Sequence, residues 1–460
     1  MPRFITTLIL LCCCTWAYGE VRLPSVISGN MVLQQNATVH LWGWAAPGEK
    51  IKVHLPWSNT VDSTVASGNA RWGIDIKTPA AGGPYTITIH GHNIIKLDNV
   101  LIGEVWVCSG QSNMEWSANM KLKDMLDELP VSKNPNIRLF QITKTTSLSP
   151  QDDCPGEWKV CDSASLRSFS AVGYFFGKKL QKDLNVPVGL INTSWGGTPA
   201  EVWTPAPLIE NNATLKAAAA KQGENRGRPH LPGYTYNAMI APITQYAIAG
   251  AIWYQGESNS GTSASYAQLM SEMIGSWRKA WGSEFPFYFV QIAPYRYGAN
   301  LNGALLREAQ EATLSVPRTG MVVITDLVDD TTNIHPQNKH DVGARLANMA
   351  LGEHYKKAGI VYQSPLYDRM EKNGSKIIIH FKHADGGLKL KDKKAREFYI
   401  AGADRVFVPA DVKVDGDKVI VSAKGVKQPE AVRFGFTNTG IGNLFNSAGL
   451  PVAPFRTDNW

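Results

Sequence analysis

Long apolar runs and clustered charge are both scarce in this 460-residue chain. Its 46 Lys and Arg residues against 39 Asp and Glu residues give a formal net charge of +7, and the basic residues are scattered apart from a denser stretch at 389–396. A nucleic-acid-binding face needs clustered basic residues interleaved with aromatic platforms, so no nucleic-acid partner is expected. No segment after the N-terminus is long and apolar enough to cross a bilayer, and we expect no membrane span.

Cysteine is also rare, with six residues in all and three beyond the first nineteen positions. Cys154 and Cys161 flank a short Pro-Gly-Glu-Trp segment and could pair as a small loop disulfide in an exported protein. Cys108 lies in an apolar run, which favours a buried thiol.

The N-terminus has the pattern of an export signal. Arg3 supplies a positive charge, the segment 4–14 is mostly apolar, and Ala17 and Gly19 place small residues at the −3 and −1 positions of a cleavage site. We expect residues 1–19 to be a signal peptide and the mature protein to be secreted or periplasmic.

The hydrophobic pattern divides the rest of the chain into three regions. Residues 20–99 show short alternating stretches separated by Gly- and Pro-containing turns, which is typical of a β-sandwich-like module. Residues 356–460 return to short β stretches, with Asp415-Gly416-Asp417 as a hairpin signal. The pattern leaves open whether this last region is a domain of its own or completes a sandwich with the first.

Residues 100–355 alternate between buried strands and amphipathic helices. Apolar runs occur at 100–108, 188–191, 248–254, 287–292 and 321–324. Apolar residues at helical spacing lie between them, from Val172 to Leu184 and from Tyr266 to Trp277. This alternation predicts an α/β domain, with a parallel sheet covered by helices on both faces.

Ligands of such sheets bind at the carboxyl ends of the strands, so the loops there are the candidate site. Ser112 follows the first strand beside Gly110, where its hydroxyl could project into a crevice or merely cap a helix. Gly196 and Gly197 follow the second strand, where a glycine N–H could meet an oxyanion or only form a tight turn.

Two further loops complete the candidate site. Gln255 and Asn259 offer amides after the third strand, and Glu257 offers a carboxylate for orientation or for a substrate hydroxyl. His335 follows the strand at 321–324 and suits a general base near neutral pH.

The rival interpretation is a metal site that uses His335, His340, Asp329 and Asp330. The spacing of these residues matches no zinc motif, and no metal or organic cofactor is expected.

At these residues the chain resembles the SGNH-type carbohydrate esterases, and most closely the sialate O-acetylesterase family. The resemblance covers nearly the whole chain after the signal, and its blocks are Gly110-Gln111-Ser112-Asn113-Met114, Trp195-Gly196-Gly197-Thr198-Pro199, Trp253-Tyr254-Gln255-Gly256-Glu257-Ser258 and Ile334-His335-Pro336. It implies an SGNH-hydrolase-like, flavodoxin-like sheet with β-sandwich-type regions at both ends.

The resemblance also implies roles for individual residues. Ser112 is the expected nucleophile and His335 its base. The N–H groups of Ser112 and Gly197, with an amide from Gln255 or Asn259, are expected to form the oxyanion hole.

The acid that orients His335 is the point of departure from the wider esterase pattern. Thr332 stands three residues before the histidine, where an acid is usual, and Asn333 stands two before it. Asp330 is the preferred candidate, with Asp329, Asp326 or a carbonyl group as the alternatives.

The expected activity is therefore hydrolysis of O-acetyl esters on sugars through an acyl-enzyme. Glu257 and Trp195 are expected to contact the sugar. Trp116, Trp203 and Tyr254 could stack on it or simply pack in the core.

The alternative functions are an acetylesterase for plant polysaccharides such as xylan or xyloglucan, a non-catalytic glycan-binding protein and a metal-dependent deacetylase. Nothing in the sequence indicates an oligomeric state.

Overall fold

The structure, a computed structural model, describes residues 19–224, 227–299 and 301–460. The expected signal peptide therefore lies outside the described residues, apart from Gly19. None of the helices in the described ranges combines the length and the apolar character that a bilayer crossing requires.

The N-terminal region is built from short strands that lead into one long strand. The strands are Val32–Gln34 (β1), Thr38–Trp44 (β2), Lys50–His54 (β3), Val61–Val65 (β4), Arg71–Lys77 (β5), Gly82–His90 (β6) and Ile94–Gly110 (β7). β2 and β5 form a separate antiparallel pair. The first half of β7 pairs with β6 and β1, whereas its second half pairs with strands of the central domain. The predicted boundary at residues 99 and 100 thus falls within a continuous strand.

The central domain is a parallel sheet extended at one edge by an antiparallel strand. Its further strands are Asn134–Gln141 (β8), Trp158–Cys161 (β9), Val188–Ser194 (β10), Gly250–Tyr254 (β11), Phe287–Val290 (β12) and Thr319–Val322 (β13). The spatial order is β13-β12-β11-β7-β10-β8-β9, and only β9 runs antiparallel to its neighbour in this series.

Helices cover both faces of this sheet. They are Ser112–Glu115 (α1), Lys123–Glu128 (α2), Ser163–Leu166 (α3), Ala171–Leu184 (α4), Ala206–Glu210 (α5), Ala213–Ala219 (α6), Ser263–Trp281 (α7), Asn302–Ala312 (α8) and Lys339–Met349 (α9). The helical stripes predicted from Val172 to Leu184 and from Tyr266 to Trp277 are confirmed as α4 and α7.

The side chains of β7 show why the sheet is apolar on both faces. Val105 and Val107 belong to the core that contains α7 and α8, and Trp106 and Cys108 belong to the core that contains α4 and α9. Successive residues of a strand point to opposite faces, so a continuous apolar run supplies both cores. The predicted α/β fold, with helices on both faces of a parallel sheet, is confirmed.

The C-terminal region has a hydrophobic core of its own. Its strands are Leu366–Asn373 (β14), Lys376–Lys382 (β15), Leu388–Leu390 (β16), Phe398–Ala401 (β17), Val408–Pro409 (β18), Asp411–Asp415 (β19), Lys418–Ser422 (β20), Ala431–Phe434 (β21), Leu444–Asn446 (β22) and Phe455–Arg456 (β23). Two four-stranded antiparallel sheets contribute to the core. The predicted hairpin joins β19 to β20, with Gly416 at a φ of +65° that favours glycine.

Cys154 and Cys161, which could have paired as a small loop disulfide, are not bonded to each other. Both residues are free thiols, and so is Cys108, which is buried as predicted. Cys154 packs into the core on one face of the sheet and Cys161 into the core on the other face. The Sγ atom of Cys161 instead lies 3.3 Å from the carbonyl oxygen of Ser132.

Candidate active site

The candidate site lies where the strand order changes direction around β7. The loops that follow β10 and β11 flank the loop that follows β7, because these two strands pair with β7 on either side. Such a switch point opens a crevice at the carboxyl ends of a parallel sheet.

Ser112 is the first residue of the short helix α1. Gln111, at the N-cap position, has an extended backbone and makes no side-chain capping bond. The Ser112 hydroxyl is therefore not used as the helix cap, the simpler role that position alone allowed.

The turn that presents Ser112 depends on Gly110. This residue has a φ of +134°, and a Cβ atom placed there would lie 2.2 Å from the carbonyl oxygen of Tyr254. Only glycine fits this conformation and this close approach, so β7 can turn sharply into α1 beside β11.

Ser112 and His335 meet although 223 residues separate them in the chain. The Nε2 atom of His335 lies 2.9 Å from the Oγ atom of Ser112, within the range expected for a nucleophile and its base. The loop carrying His335 starts at the edge strand β13 and returns across the sheet to reach α1.

The imidazole of His335 is half-buried and packs on an aromatic ring. The ring centroids of His335 and Trp116 are 4.0 Å apart with planes inclined by 22°. Burial lowers the pKa of His335 to about 4, and the positive charges of Lys339 and Arg228 act in the same direction. The imidazole is consequently neutral at neutral pH and able to accept a proton.

The structure does not bring the preferred acid, Asp330, to His335. The Asp330 carboxylate accepts hydrogen bonds from the Thr332 N–H (2.8 Å) and hydroxyl (2.6 Å), and these bonds hold its pKa below the ordinary value. These local hydrogen bonds satisfy the exposed Asp330 carboxylate, which does not contact the His335 ring.

The other acidic candidates also have different surroundings. Asp326 forms two hydrogen bonds with the Arg345 guanidinium, and Asp329 is exposed. In the described part of the chain, no carboxylate forms a hydrogen bond or ion pair with His335. Asn333 supports the histidine differently, since its Oδ1 atom accepts the backbone N–H of His335 at 3.0 Å.

Two residues that line the cavity around the serine carry backbone donors without partners. Among the described residues, no acceptor is found for the N–H groups of Ser112 and Gly197. Gly197 has a φ of +72°. The neighbouring Gly196 N–H is occupied, because it donates to the Glu115 carboxylate. Of the glycine pair, Gly197 is therefore the candidate for an oxyanion hole.

The amides of Gln255 and Asn259 do not reach the serine, contrary to expectation. Gln255 donates to the Thr198 carbonyl and to Asn259, and Asn259 donates to the buried carboxylate of Glu201. The Asn259 Oδ1 atom also accepts the Ala200 N–H. These fully buried amides form hydrogen bonds with the segment that follows Gly197 and do not donate into the cavity.

A cavity of about 930 Å³ opens at the Ser112–His335 pair. Both residues expected to contact the sugar, Glu257 and Trp195, contribute to its lining, as does Trp116. Trp203 and Tyr254 are completely buried core residues and cannot stack on a sugar there.

Charged residues that no motif indicated also line the cavity. Glu115 pairs with Lys144, whose ammonium lies 5.8 Å from the centroid of the Trp195 ring. The Arg228 guanidinium lies against Gly197, and no described acidic residue pairs with it. Lys144 and Arg228 lie in loops and Glu115 is the last residue of α1, and no sequence pattern marked any of them as part of the site.

A buried polar group behind the serine was likewise not recognised from the sequence. Lys339 donates to the Asn113 side chain, and Asn113 donates to Glu257. Asn113 directly follows Ser112, and Lys339 lies four residues beyond His335. Their closeness in the sequence to these two residues was the one feature that could have pointed to them.

The rival metal site has no counterpart in the described ranges, where no three His, Cys, Asp or Glu side chains converge as metal ligands would. The ring of His340 lies 2.8 Å from its neighbour Asp341 instead.

Comparison with known proteins agrees with this architecture. The sialate O-acetylesterases of Homo sapiens and Pongo abelii are 29% and 28% identical, over 76% of this chain and 74% of their own lengths. The crystal structure of a carbohydrate acetylesterase from Xanthomonas citri superposes with a TM-score of 0.88 at 36% identity, covering 96% of this chain and all of that one.

The fold and these matches define a carbohydrate esterase. The family model for carbohydrate esterase, sialic acid-specific acetylesterase, matches residues 102–352, which is more than half of the chain. The protein belongs to this family.

Proposed function

We propose that this protein is a serine esterase that hydrolyses O-acetyl esters on sugars, with Ser112 as the nucleophile and His335 as the general base. The single observation that carries the mechanism is the 2.9 Å contact between Ser112 Oγ and His335 Nε2, two residues that line one cavity. The sugar ester as substrate is supported by membership of the esterase family.

The reaction follows from this geometry. The Ser112 oxygen attacks the acetyl carbonyl carbon as its proton passes to His335 Nε2. The oxyanion formed is stabilised by the N–H groups of Ser112 and Gly197, and each such donor contributes about 3 kcal/mol. Collapse breaks the bond to the sugar oxygen, which takes the proton from His335. Water then attacks acetyl-Ser112, gives a proton to His335, and releases acetate as the serine recovers its proton.

The charges around the cavity favour an acidic sugar as one substrate. Arg228 lies at the cavity beside Gly197 and has no acidic partner in the described residues. The carboxylate of a sialic acid would provide one through charge-assisted hydrogen bonds. Trp195 lines the same cavity and offers an aromatic surface to a sugar ring.

Acetate release from a panel of acetylated sugars tests this proposal. The panel contains 9-O-acetyl sialic acid, acetylated xylan and acetylated xyloglucan, each assayed with and without EDTA. We expect EDTA-insensitive release, with the preferred substrate defining the specificity. Release that EDTA abolishes and that persists in Ser112→Ala would instead support a metal-dependent deacetylase. Binding without any release would support a non-catalytic glycan-binding protein.

We also propose that the protein is exported. The support is the sequence of residues 1–19, in which a positive charge, an apolar stretch and a small-residue cleavage site follow each other. Mass spectrometry of protein recovered from outside the cytoplasm should find a chain that starts at Glu20, whereas a full-length chain retained inside the cell would contradict export.

A further inference from the structure

Lys339 is a buried cation placed directly behind the proposed catalytic pair. It is the first residue of α9 and is completely buried. Its Nζ atom lies 2.6 Å from Asn113 Oδ1, and 5.7 and 5.4 Å from the ring centroids of Trp116 and Tyr254. Within the described residues no carboxylate forms an ion pair with it. Burying an ammonium group without such a partner is costly, which points to a role beyond packing.

The contacts of Asn113 connect this ammonium group to the histidine. The Asn113 Nδ2 atom donates to the Glu257 carboxylate and to the carbonyl oxygen of Ile334, the latter at 3.1 Å. That carbonyl belongs to the peptide group that leads into His335. The path from Lys339 through Asn113 therefore ends on the backbone of the proposed base.

A second path runs through the aromatic ring that supports the histidine. The Lys339 ammonium faces Trp116, and Trp116 stacks on the imidazole of His335. Both paths matter because no described carboxylate holds the histidine ring in place. Something other than an acid must fix its orientation relative to Ser112.

We propose that Lys339 is a positioning residue for the catalytic base. Its hydrogen bond fixes the Asn113 amide, which in turn binds the Ile334 carbonyl, and its ammonium faces the Trp116 ring. Together these contacts hold the His335 imidazole against Ser112. This inference rests on the proposed serine mechanism. It assigns to Lys339 no contact with substrate and no proton transfer.

The charge of Lys339 provides a readout that packing alone would not give. Burial lowers the pKa of Lys339 to about 7, while the negative charges of Glu257 and Asp124 act in the opposite direction. Below that pH the ammonium is charged. It then opposes protonation of His335, and the positive charge of the Arg228 guanidinium acts in the same direction. Removing the ammonium should raise the pKa of the imidazole.

The experiment compares Lys339→Met, Asn113→Ala and the double variant by kcat, KM and the pH dependence of kcat/KM. We expect kcat to fall about 100-fold in each single variant, the loss that a small misplacement of a catalytic group can cause, with KM nearly unchanged. Both substitutions break the same path, so the double variant should lose much less than the product of the two single losses. The acid limb of the pH profile, where kcat/KM declines as His335 is protonated, should move to higher pH in Lys339→Met.

Arg138→Met is the matched control for loss of a buried cation. The Arg138 guanidinium donates to backbone carbonyls of Asn30, Asn99 and Pro135, and Arg138 does not line the cavity. Its substitution should lower stability and leave the acid limb where it is in the wild type. Ser112→Ala is measured alongside, because retained activity in that variant would overturn the serine mechanism itself.

The outcomes separate the two claims. If Ser112→Ala is inactive while Lys339→Met keeps wild-type kcat and acid limb, the positioning role is overturned and the serine mechanism stands. Losses that multiply in the double variant would also overturn the role, since they would show that Lys339 and Asn113 act independently. A shifted acid limb together with non-multiplying losses in kcat supports it.

Discussion

Trp116 lies nearly flat against the imidazole of His335, with ring centroids 4.0 Å apart. Trp116 follows directly after α1, the helix that begins with Ser112, so the two proposed catalytic residues are linked through this stacking contact as well as through their hydrogen bond. An aromatic face also attracts a cation. The ring can therefore support the imidazolium that forms when His335 takes a proton.

The pH dependence of kcat/KM should report the lowered pKa of His335. Burial and two nearby positive charges disfavour the imidazolium, which lowers this pKa to about 4. The neutral base is present above that value, so we expect activity to hold as the pH falls from 7 to 5 and to be half lost near pH 4. Acetate release measured by NMR checks this, and a midpoint near 6.5 would contradict it.

The folded state must be monitored in the same titration. His335 has a lower pKa in the folded chain than in the unfolded chain, so the unfolded state binds more protons below about pH 6.5. The contribution of this residue to stability therefore falls as the pH drops from about 6.5 to 4. Circular dichroism at each pH separates unfolding from protonation of the base.

Asp330→Asn should leave kcat within about twofold of the wild type. The Asp330 side chain accepts hydrogen bonds from Thr332 and does not contact the imidazole, and asparagine preserves an oxygen acceptor at that point. The loss of an acid that orients a catalytic histidine costs about 10⁴-fold in kcat. A loss approaching that size would show that Asp330 reaches His335 during turnover.

Asn259→Ala should mainly reduce stability. The substitution removes a donor from the buried Glu201 carboxylate, and leaving such a group unsatisfied costs about 1–3 kcal/mol of unfolding free energy. Urea denaturation measures this loss, and kcat should fall less than tenfold. A loss in kcat of about 10²–10³-fold at unchanged stability would instead identify Asn259 as a donor to the oxyanion.

Gly110→Ala should destabilise the fold by at least about 2 kcal/mol, because alanine is strained at a φ of +134° and its Cβ would collide with the Tyr254 carbonyl oxygen. Gly275→Ala is the control, since this glycine lies within α7 with open space around its Cβ position. That change should stabilise the protein by about 1 kcal/mol. Equal effects at both sites would show that the turn before Ser112 does not require glycine.

The sequence indicated the pairing of Ser112 with His335 because each lies in a motif at the end of an apolar run, and the resemblance to the carbohydrate esterases implied their roles as nucleophile and base. Strand ends of a parallel sheet share one edge, so residues far apart in the chain could be placed together. The alternation of apolar runs and helical stripes likewise predicted the central sheet, since hydrophobic periodicity reflects burial directly.

The supporting residues were harder to predict because their roles depend on side-chain direction. The amides of Gln255 and Asn259 could point to the cavity or to the core, and nothing in a loop sequence decides between them. The sequence offers Asp330 as an acid for His335, yet two hydrogen bonds from Thr332 satisfy its carboxylate locally. Lys339 begins a helix where lysine is usually exposed, so its burial could not be foreseen.

Covalent labelling of Ser112 by a serine-reactive phosphonate tests the central claim most directly. The wild type, Ser112→Ala and His335→Ala are treated with the reagent, and the modified peptide is located by mass spectrometry while acetate release is followed. We expect one equivalent of label on Ser112 with parallel loss of activity, much slower labelling of His335→Ala, and none at this site in Ser112→Ala. Label on another residue, or acetate release that continues after Ser112 is fully modified, would contradict the account.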